Sequence, residues 1–584
     1  MGRICEMKKT GTLKKLVKML GSQLTLFIVS LLLAALTVAL TLYIPVLFGD
    51  ALNCIVGQGN VDFAQIKVIL IKMVVAIALT AVAQWIMTNC NNTLTYNLVH
   101  NIRGKAFKKL HSMPLSYIDT HPYGDTVSRI ITDTDMLADG LLMGFSQLFT
   151  GIITVLGTIV LMFRIDWKIS LVVIVLTPVS LLVAKFIAES TYSMFKKKSI
   201  TQGEQTSFVE ETVGNQKTVQ AFCHGEEACK RFDEINERLR KTSLKATFFS
   251  SMVNPSARVI NAVIYAVVCL MGALSVIGGT VTVGALSALL SYAGQYAKPF
   301  NEISGVLTEL SSALASADRV FELIEQPAEK SDEGLPEIGA VKGDVSLNRI
   351  SFSYDPKKKL IDGIDLDFKS GQQIAIVGPT GCGKTTLINL LMRFYDVTDG
   401  NITVDGQDIC EVTRHSLRKN YGMVLQETWL KAGSVRDNIK MGNTNATDDE
   451  MIAAAKNTHA HSFIKRLPNG YDTVLSEDGG NLSEGQKQLL CITRLMLCPP
   501  PMLIFDEATS SIDVKTEMHI QHAFTRLMKG RTSFVVAHRL STIKNSDLIL
   551  VMKDGNIIEH GTHNELLAQK GFYHKLYNSQ FANA

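Results

Sequence analysis

Six apolar stretches fall within the first half of the chain, at 24–48, 66–88, 141–163, 168–188, 257–279 and 283–304. A helix needs about 20 such residues to cross the hydrocarbon core of a bilayer. Buried helices of a soluble protein would not supply so many runs of that length, so a membrane domain is predicted. The overall composition, 47% hydrophobic and 19% charged, hides a division. Apolar runs crowd the first half, and charges and glycines the second. None of the six is free of polar residues: Lys67 and Lys72 open the second, Pro178 lies in the fourth, and Lys298 and Glu302 lie late in the sixth. Charges near span ends can snorkel, and those facing a protein-lined cavity are tolerated.

Basic residues near the spans set the orientation. Arg3, Lys8, Lys9, Lys14, Lys15 and Lys18 precede the first span, and the loop 49–64 has no Lys or Arg. Arg103, Lys105, Lys108 and Lys109 follow the second span, and Lys196, Lys197 and Lys198 the fourth. Both termini are therefore expected in the cytosol, in a multi-pass protein of the cytoplasmic membrane. The first apolar run is too long for the core of a signal peptide, and no small-residue cleavage site follows it. The cytosolic segments 89–140 and 189–256 read as helices extending beyond the bilayer, broken at MPLSYIDTHPYGD and ETVGNQKTV. The polar stretch 325–343, with Pro327, Gly334, Pro336 and Gly339, reads as a linker. The expected organisation is a membrane domain at 1–324, the linker, and a second domain at 344–584.

That second domain opens with phosphate chemistry. The strand-like IAIV runs into GPTGCGKT and then into a helical run, matching G-x-x-x-x-G-K-[ST] in the setting the motif requires. Gly378, Pro379, Thr380, Gly381, Cys382 and Gly383 form the loop whose backbone N–H groups face phosphate. Lys384 would reach the β- and γ-phosphates, and the Thr385 hydroxyl, with Thr386 beside it, would stand at the Mg²⁺ end of ATP. Downstream, MLIFDE ends in two carboxylates. Asp506 is a candidate Mg²⁺ ligand and Glu507 a candidate to polarise the attacking water. SFVVAH ends in His538, placed for the γ-phosphate. The ten cysteines show no CxxC and no zinc spacing; Cys223, His224 and Cys229 come nearest to a ligand cluster. The net charge of +4 gives no ground for a nucleic-acid partner.

Over nearly all its length the chain resembles ATP-binding cassette exporters of the half-transporter layout. The phosphate loop, LSEGQ at 482–486, LIFDE, SSID at 510–513 and AHR at 537–539 carry the likeness. It implies an all-α six-helix membrane domain followed by an α/β P-loop domain. It further implies ATP hydrolysis coupled to transport, with Tyr354 stacking on adenine. Gln426 would sense Mg²⁺ (and count among its ligands), and His538 would act as the switch histidine. The turns near 115–123 and 212–218 would dock on the nucleotide domain. Two chains would sandwich two ATP molecules, each between one chain's phosphate loop and the partner's Ser483, Gly485 and Gln486. The cargo would be a small amphipathic, peptide or lipid solute; the alternative is a nucleotide-gated channel or regulatory sensor ATPase of the same architecture.

One departure stands out. The family's LSGGQ reads LSEGQ here, which puts Glu484 near the partner's triphosphate. Ser483 and Gln486 fit a capping box, so a helix should start there. At about 6 Å, two unit charges repel by about 3 kcal/mol at an effective dielectric of 20, against roughly 0.3–1 kcal/mol gained from the helix dipole. Either the carboxylate points away, or it faces a degenerate site on a different partner chain. The second option favours a heterodimer.

Overall fold

The computed structural model describes residues 11–12, 14–19, 21–55, 61–355, 357–425, 428–476, 479–506, 512–536 and 543–581. They form two compact units, the first running to Pro327 except for Met113–Thr120, which groups with Ala328–Ala584 in the second.

The first unit is helical. Its elements are α1 (Leu24–Asn53), α2 (Phe63–Leu110), α4 (Tyr123–Ile130), α5 (Thr132–Met143), α6 (Phe149–Ile165), α7 (Trp167–Gly214), α8 (Gln216–Ala221), α9 (Gly225–Ser251), α10 (Val253–Ile277) and α11 (Val283–Ile324); α3 (Leu115–Thr120) belongs to the second unit. Each of the six apolar stretches lies on these helices. Among the described residues, α1, α2, the run Tyr123–Ile165 and Arg258–Ile277 are long and apolar enough to cross a membrane. The 48 residues of α2 span about 72 Å at 1.5 Å each, more than twice the hydrocarbon thickness. Large apolar side chains such as Val74, Leu156 and Leu274 point outward, the inverse of a soluble bundle.

Side chains start the helices at the short loops. Asp62 accepts from the N–H groups of Ala64 and Gln65, Asp166 from Lys168 and Ile169, and Thr282 from Ala285. Inside, Val38, Leu42, Met162, Val173, Val268 and Leu289 form one core, into which the buried Tyr292 hydroxyl donates to the Leu42 carbonyl at 2.8 Å. Near these loops α1 and α11 touch backbone to backbone: a Cβ on Gly49 would lie 2.4 Å from the Gly284 carbonyl oxygen. Without a hydrophobic drive between helices in lipid, such small-residue contacts are what let them pack. The second expected turn, 212–218, appears as the break between α7 and α8 at Asn215.

The second unit is α/β. Its strands are β1 (Val345–Phe352), β2 (Ile361–Phe368), β3 (Gln373–Val377), β4 (Asp399–Val404), β5 (Gln407–Asp408), β6 (Tyr421–Val424), β7 (Gly433–Ser434), β8 (Val474–Leu475), β9 (Met502–Asp506), β10 (Thr532–Val536), β11 (Leu548–Lys553) and β12 (Asn556–Gly561). The main sheet runs β12-β11-β3-β10-β9-β6, parallel from β11 to β6, and a second sheet runs β2-β1-β4-β5. The nearly continuous buried patterns of β3, β9 and β10 fit a sheet covered on both faces.

The stretch expected as linker folds onto this unit from Ala328 onward. Ile338 enters its core, and the Thr413 N–H donates to the Pro336 carbonyl at 3.0 Å. Asp332 accepts from the Arg414 backbone N–H at 2.7 Å and pairs with its guanidinium, which also approaches Glu329 at 3.0 Å without hydrogen-bond alignment.

Candidate functional site: a phosphate cradle at the strand ends

The parallel strands β6, β9, β10 and β3 are consecutive neighbours in the sheet. The phosphate loop leaves the C-terminal end of β3, Asp506 closes β9, and the segments carrying Gln426 and His538 leave β6 and β10. Ligands of open α/β sheets bind outside these carboxyl ends, and the topology sets the ends of the four strands side by side. Gln426, Glu507 and His538 themselves lie outside the described residues, as do Ser510 and Ser511.

The loop is tightly drawn. Gly381 and Gly383 sit at φ +80° and +102°, a region side chains disfavour, and Gly383 caps the helix Lys384–Leu391. A Cβ on Gly378 would lie 2.3 Å from the Met552 carbonyl oxygen, so β11 closes the loop's back. The buried Lys384 folds over the loop, its Nζ donating to the carbonyls of Gly378 at 2.9 Å and Pro379 at 3.0 Å. Thr385 is exposed at the helix start, whereas Thr386 is buried. Cys382 is 3% exposed and faces inward, out of reach of a bulky thiol reagent from solvent. The hydroxyl of Thr385 and the carboxylate of Asp506 are hard oxygen donors, the set Mg²⁺ takes beside phosphate oxygens.

Tyr354 stands beside this loop, half exposed, with its hydroxyl 3.3 Å from the Thr386 hydroxyl. Phe352 and Tyr395 hold its ring edge-on at 4.9 and 5.1 Å. Tyr395 also donates its hydroxyl to Asp119 of α3. Burial, and then Asp119, push the Tyr395 hydroxyl well above its usual range. Sequence reading missed Tyr395, because its two partners lie far away in the chain and no motif contains it.

The LSEGQ segment forms the expected helix start. Ser483 accepts from the Gln486 N–H at 3.3 Å, and Gln486 Oε1 accepts from the Ser483 N–H at 3.0 Å, a complete capping box. A side chain at Gly485 would crowd its neighbours: a Cβ would lie 2.6 Å from Thr516 Cγ2 and 2.9 Å from Ile512 Cγ2, so one of them would have to shift. Asp513, the last residue of the SSID stretch, caps the helix Val514–Met528 by accepting from the Thr516 N–H at 3.0 Å. Glu484 is 59% exposed and pairs at 2.7 Å with Lys487, one turn along the same helix.

Comparison with known proteins agrees with this arrangement. Residues 27–300 match the model of the ABC transporter transmembrane region, and residues 361–510 that of the ABC transporter. A "Fatty acid ABC transporter ATP-binding/permease protein" of Mycobacterium bovis is 39% identical over 90% of this chain and 83% of its own. An "ATP-dependent lipid A-core flippase" of Syntrophus aciditrophicus is 33% identical over 97% of this chain and 94% of its own. A solved bacterial Atm1-family ABC exporter with ATP bound aligns with a TM-score of 0.74 at 27% identity, covering 96% of this chain and 98% of that one. With its membrane region and ATP-binding region on one polypeptide, the chain belongs to the ABC transporters, as an exporter that hydrolyses ATP to drive transport.

Proposed function

We propose that this protein exports a lipid-type amphiphile from the cytosolic side of the membrane, working as a dimer by alternating access. The observation that carries the ATP-driven half of this reading is the phosphate loop at the end of β3, beside the ends of the parallel strands β10, β9 and β6 that lead into the other motifs. The cargo class is inferred from relatives named for fatty acid and lipid A-core transport. In this reading Gly378–Thr386 hold the phosphates, and Lys384 exchanges its two loop carbonyls for phosphate oxygens. Thr385, Asp506 and Gln426 hold Mg²⁺, which neutralises charge on the phosphates. Glu507 accepts the proton of the attacking water, His538 steadies the γ-phosphate and Tyr354 stacks on adenine. Ser483, Gly485 and Gln486 serve the partner's nucleotide. Both termini and the cassette face the cytosol, as the basic flanks require.

The heterodimer rests on Glu484 alone. Its pairing with Lys487 leaves the segment near neutral, which supports two equivalent sites and makes a homodimer an equal candidate. Reconstitution in vesicles tests the function. ATP-dependent movement of labelled fatty acid or phospholipid, lost in Glu507→Gln, is expected. ATP hydrolysis with no lipid movement would favour the channel or sensor instead. Mass measurement of the purified complex counts one kind of chain or two.

A further inference from the structure

We propose that the cassette carries a second anion site, at the opposite end of its parallel strands from the phosphate loop, for a small molecule bearing more than one phosphate group. Such a site stands apart from the export reading and holds whatever the cargo is.

The site is a cavity of about 550 Å³, within the volume range of small-molecule sites. Its wall comes from four places in the second unit. Two are the carboxyl ends of the helices Asp448–Asn457 and Val514–Met528; the others are Gln373, the first residue of β3, and the pair Asn545 and Ser546 ahead of β11. The phosphate loop leaves the far end of β3, about 13 Å along that strand. The two sites are therefore separate.

Positive charge gathers in the cavity. His459, His522, Arg526 and Lys529 line it, and among the described residues no carboxylate does. Asp547, next in sequence to Ser546, is occupied by the Gln373 N–H at 2.9 Å. A third histidine, His519, stacks its ring on His459 at 4.7 Å, and His522 meets His459 edge-on at 6.4 Å. None of these five has an acidic partner among the described residues. Helix carboxyl ends favour cations, and that accounts for Arg526, which donates to the Asn457 carbonyl at 3.1 Å. The effect fades within the last turn, so it does not explain His519 and His522, more than a turn from the end of their own helix.

The arrangement is costly as it stands. His459 takes a left-handed φ of +61°, a region that side chains disfavour. Burial, and then His519, His522 and Arg526, hold its pKa below the usual 6.5. An anion lying between these groups would replace repulsion with charge-assisted hydrogen bonds, and the amides of Gln373, Asn457 and Asn545 would add N–H donors. Arg526 and Lys529 balance about one phosphate group; protonated His459 and His522 call for a second. Because the bound anion favours the protonated histidines, binding takes up protons and tightens as pH falls through about 6.5.

The test is calorimetric titration of the full chain in nanodiscs, in about 0.15 M NaCl so that diffuse attraction is screened. Trimetaphosphate, a strong-acid trianion whose own charge stays constant, is compared with inorganic phosphate and ribulose bisphosphate. Trimetaphosphate should bind roughly tenfold or more tighter than inorganic phosphate, and several-fold tighter at about pH 6 than at about pH 7.5. Whether ribulose bisphosphate binds above or below it tells spaced phosphates on a carbon frame from adjacent ones. His522→Gln combined with Lys529→Gln should weaken trimetaphosphate roughly tenfold or more. Both residues are exposed and make no hydrogen bond among the described residues, so the fold is not at stake. His459→Asn, which tolerates the left-handed turn, should flatten the pH dependence. Lys384→Ala, which disables the phosphate loop, should leave this binding intact. Binding lost in Lys384→Ala but kept in the double variant would place the anion at the phosphate loop and overturn the proposal. So would an affinity no better than that of inorganic phosphate, or one indifferent to pH.

Discussion

Lysine 487 should decide whether the cassette tolerates a glutamate in its signature segment. In the proposed dimer Glu484 faces the partner's triphosphate. At about 6 Å a lone carboxylate would oppose one phosphate charge by about 3 kcal/mol at a dielectric of 20, or about 100-fold in affinity. With the Lys487 ammonium 2.7 Å from the carboxylate, and hence about 8 Å from the same phosphate, most of this cancels. The remainder is about 0.7 kcal/mol, about threefold. Glu484 is 59% exposed, so water screens it, and doubling the dielectric halves the lone-charge penalty to about 1.4 kcal/mol. Lys487→Gln removes about 1 kcal/mol of compensating attraction at that dielectric and is therefore expected to raise KM for ATP about sixfold. Adding Glu484→Gly should bring KM back to within about twofold of its starting value, and Glu484→Gly alone, which leaves the Lys487 ammonium unopposed, should lower KM about tenfold. Steady-state ATPase of the four variants completes a double-mutant cycle. A KM unchanged in both Lys487→Gln and Glu484→Gly would refute the pairing argument. In that case the carboxylate does not face nucleotide at all.

Gly49→Leu would drive a side chain into the Gly284 carbonyl and force α1 from α11; a loss of about 1–3 kcal/mol and a lower melting temperature in detergent are expected, with Gly49→Ala intermediate. Arg414→Met would leave Asp332 and Glu329 facing a hydrocarbon chain, lowering stability by about 2–4 kcal/mol and exposing residues 328–336 to limited proteolysis. Acid should also weaken the cassette. Burial, and then the positive neighbours His519, His522 and Arg526, hold His459 below its usual 6.5, and burial likewise lowers His461 and His563. The unfolded chain then binds more protons than the folded one, so stability present above about pH 6.5 is lost as pH falls through it. His459→Asn should flatten the melting-temperature profile between about pH 7.5 and 5.5.

What could be read in the sequence was local, and what could not was long-range. The apolar stretches stand out because about twenty residues of such composition favour a bilayer, and four helices among the described residues are long and apolar enough to cross one. The capping box at Ser483 and Gln486 is equally local, a matter of two side chains three residues apart. The Glu484–Lys487 pair obeys the same spacing and was within reach of the same rule. Proline and glycine content made 325–343 look like a free linker, yet pairing with the distant Arg414 folds its later part onto the cassette. Tyr395 and Asp119 are 276 positions apart, and no pattern in either neighbourhood points to the other. The contact joins the tyrosine that flanks the expected adenine stacker to the one membrane-domain turn that groups with the cassette. Motifs therefore expose the chemistry of the cassette, while a contact such as Tyr395–Asp119 becomes visible only once the chain is folded.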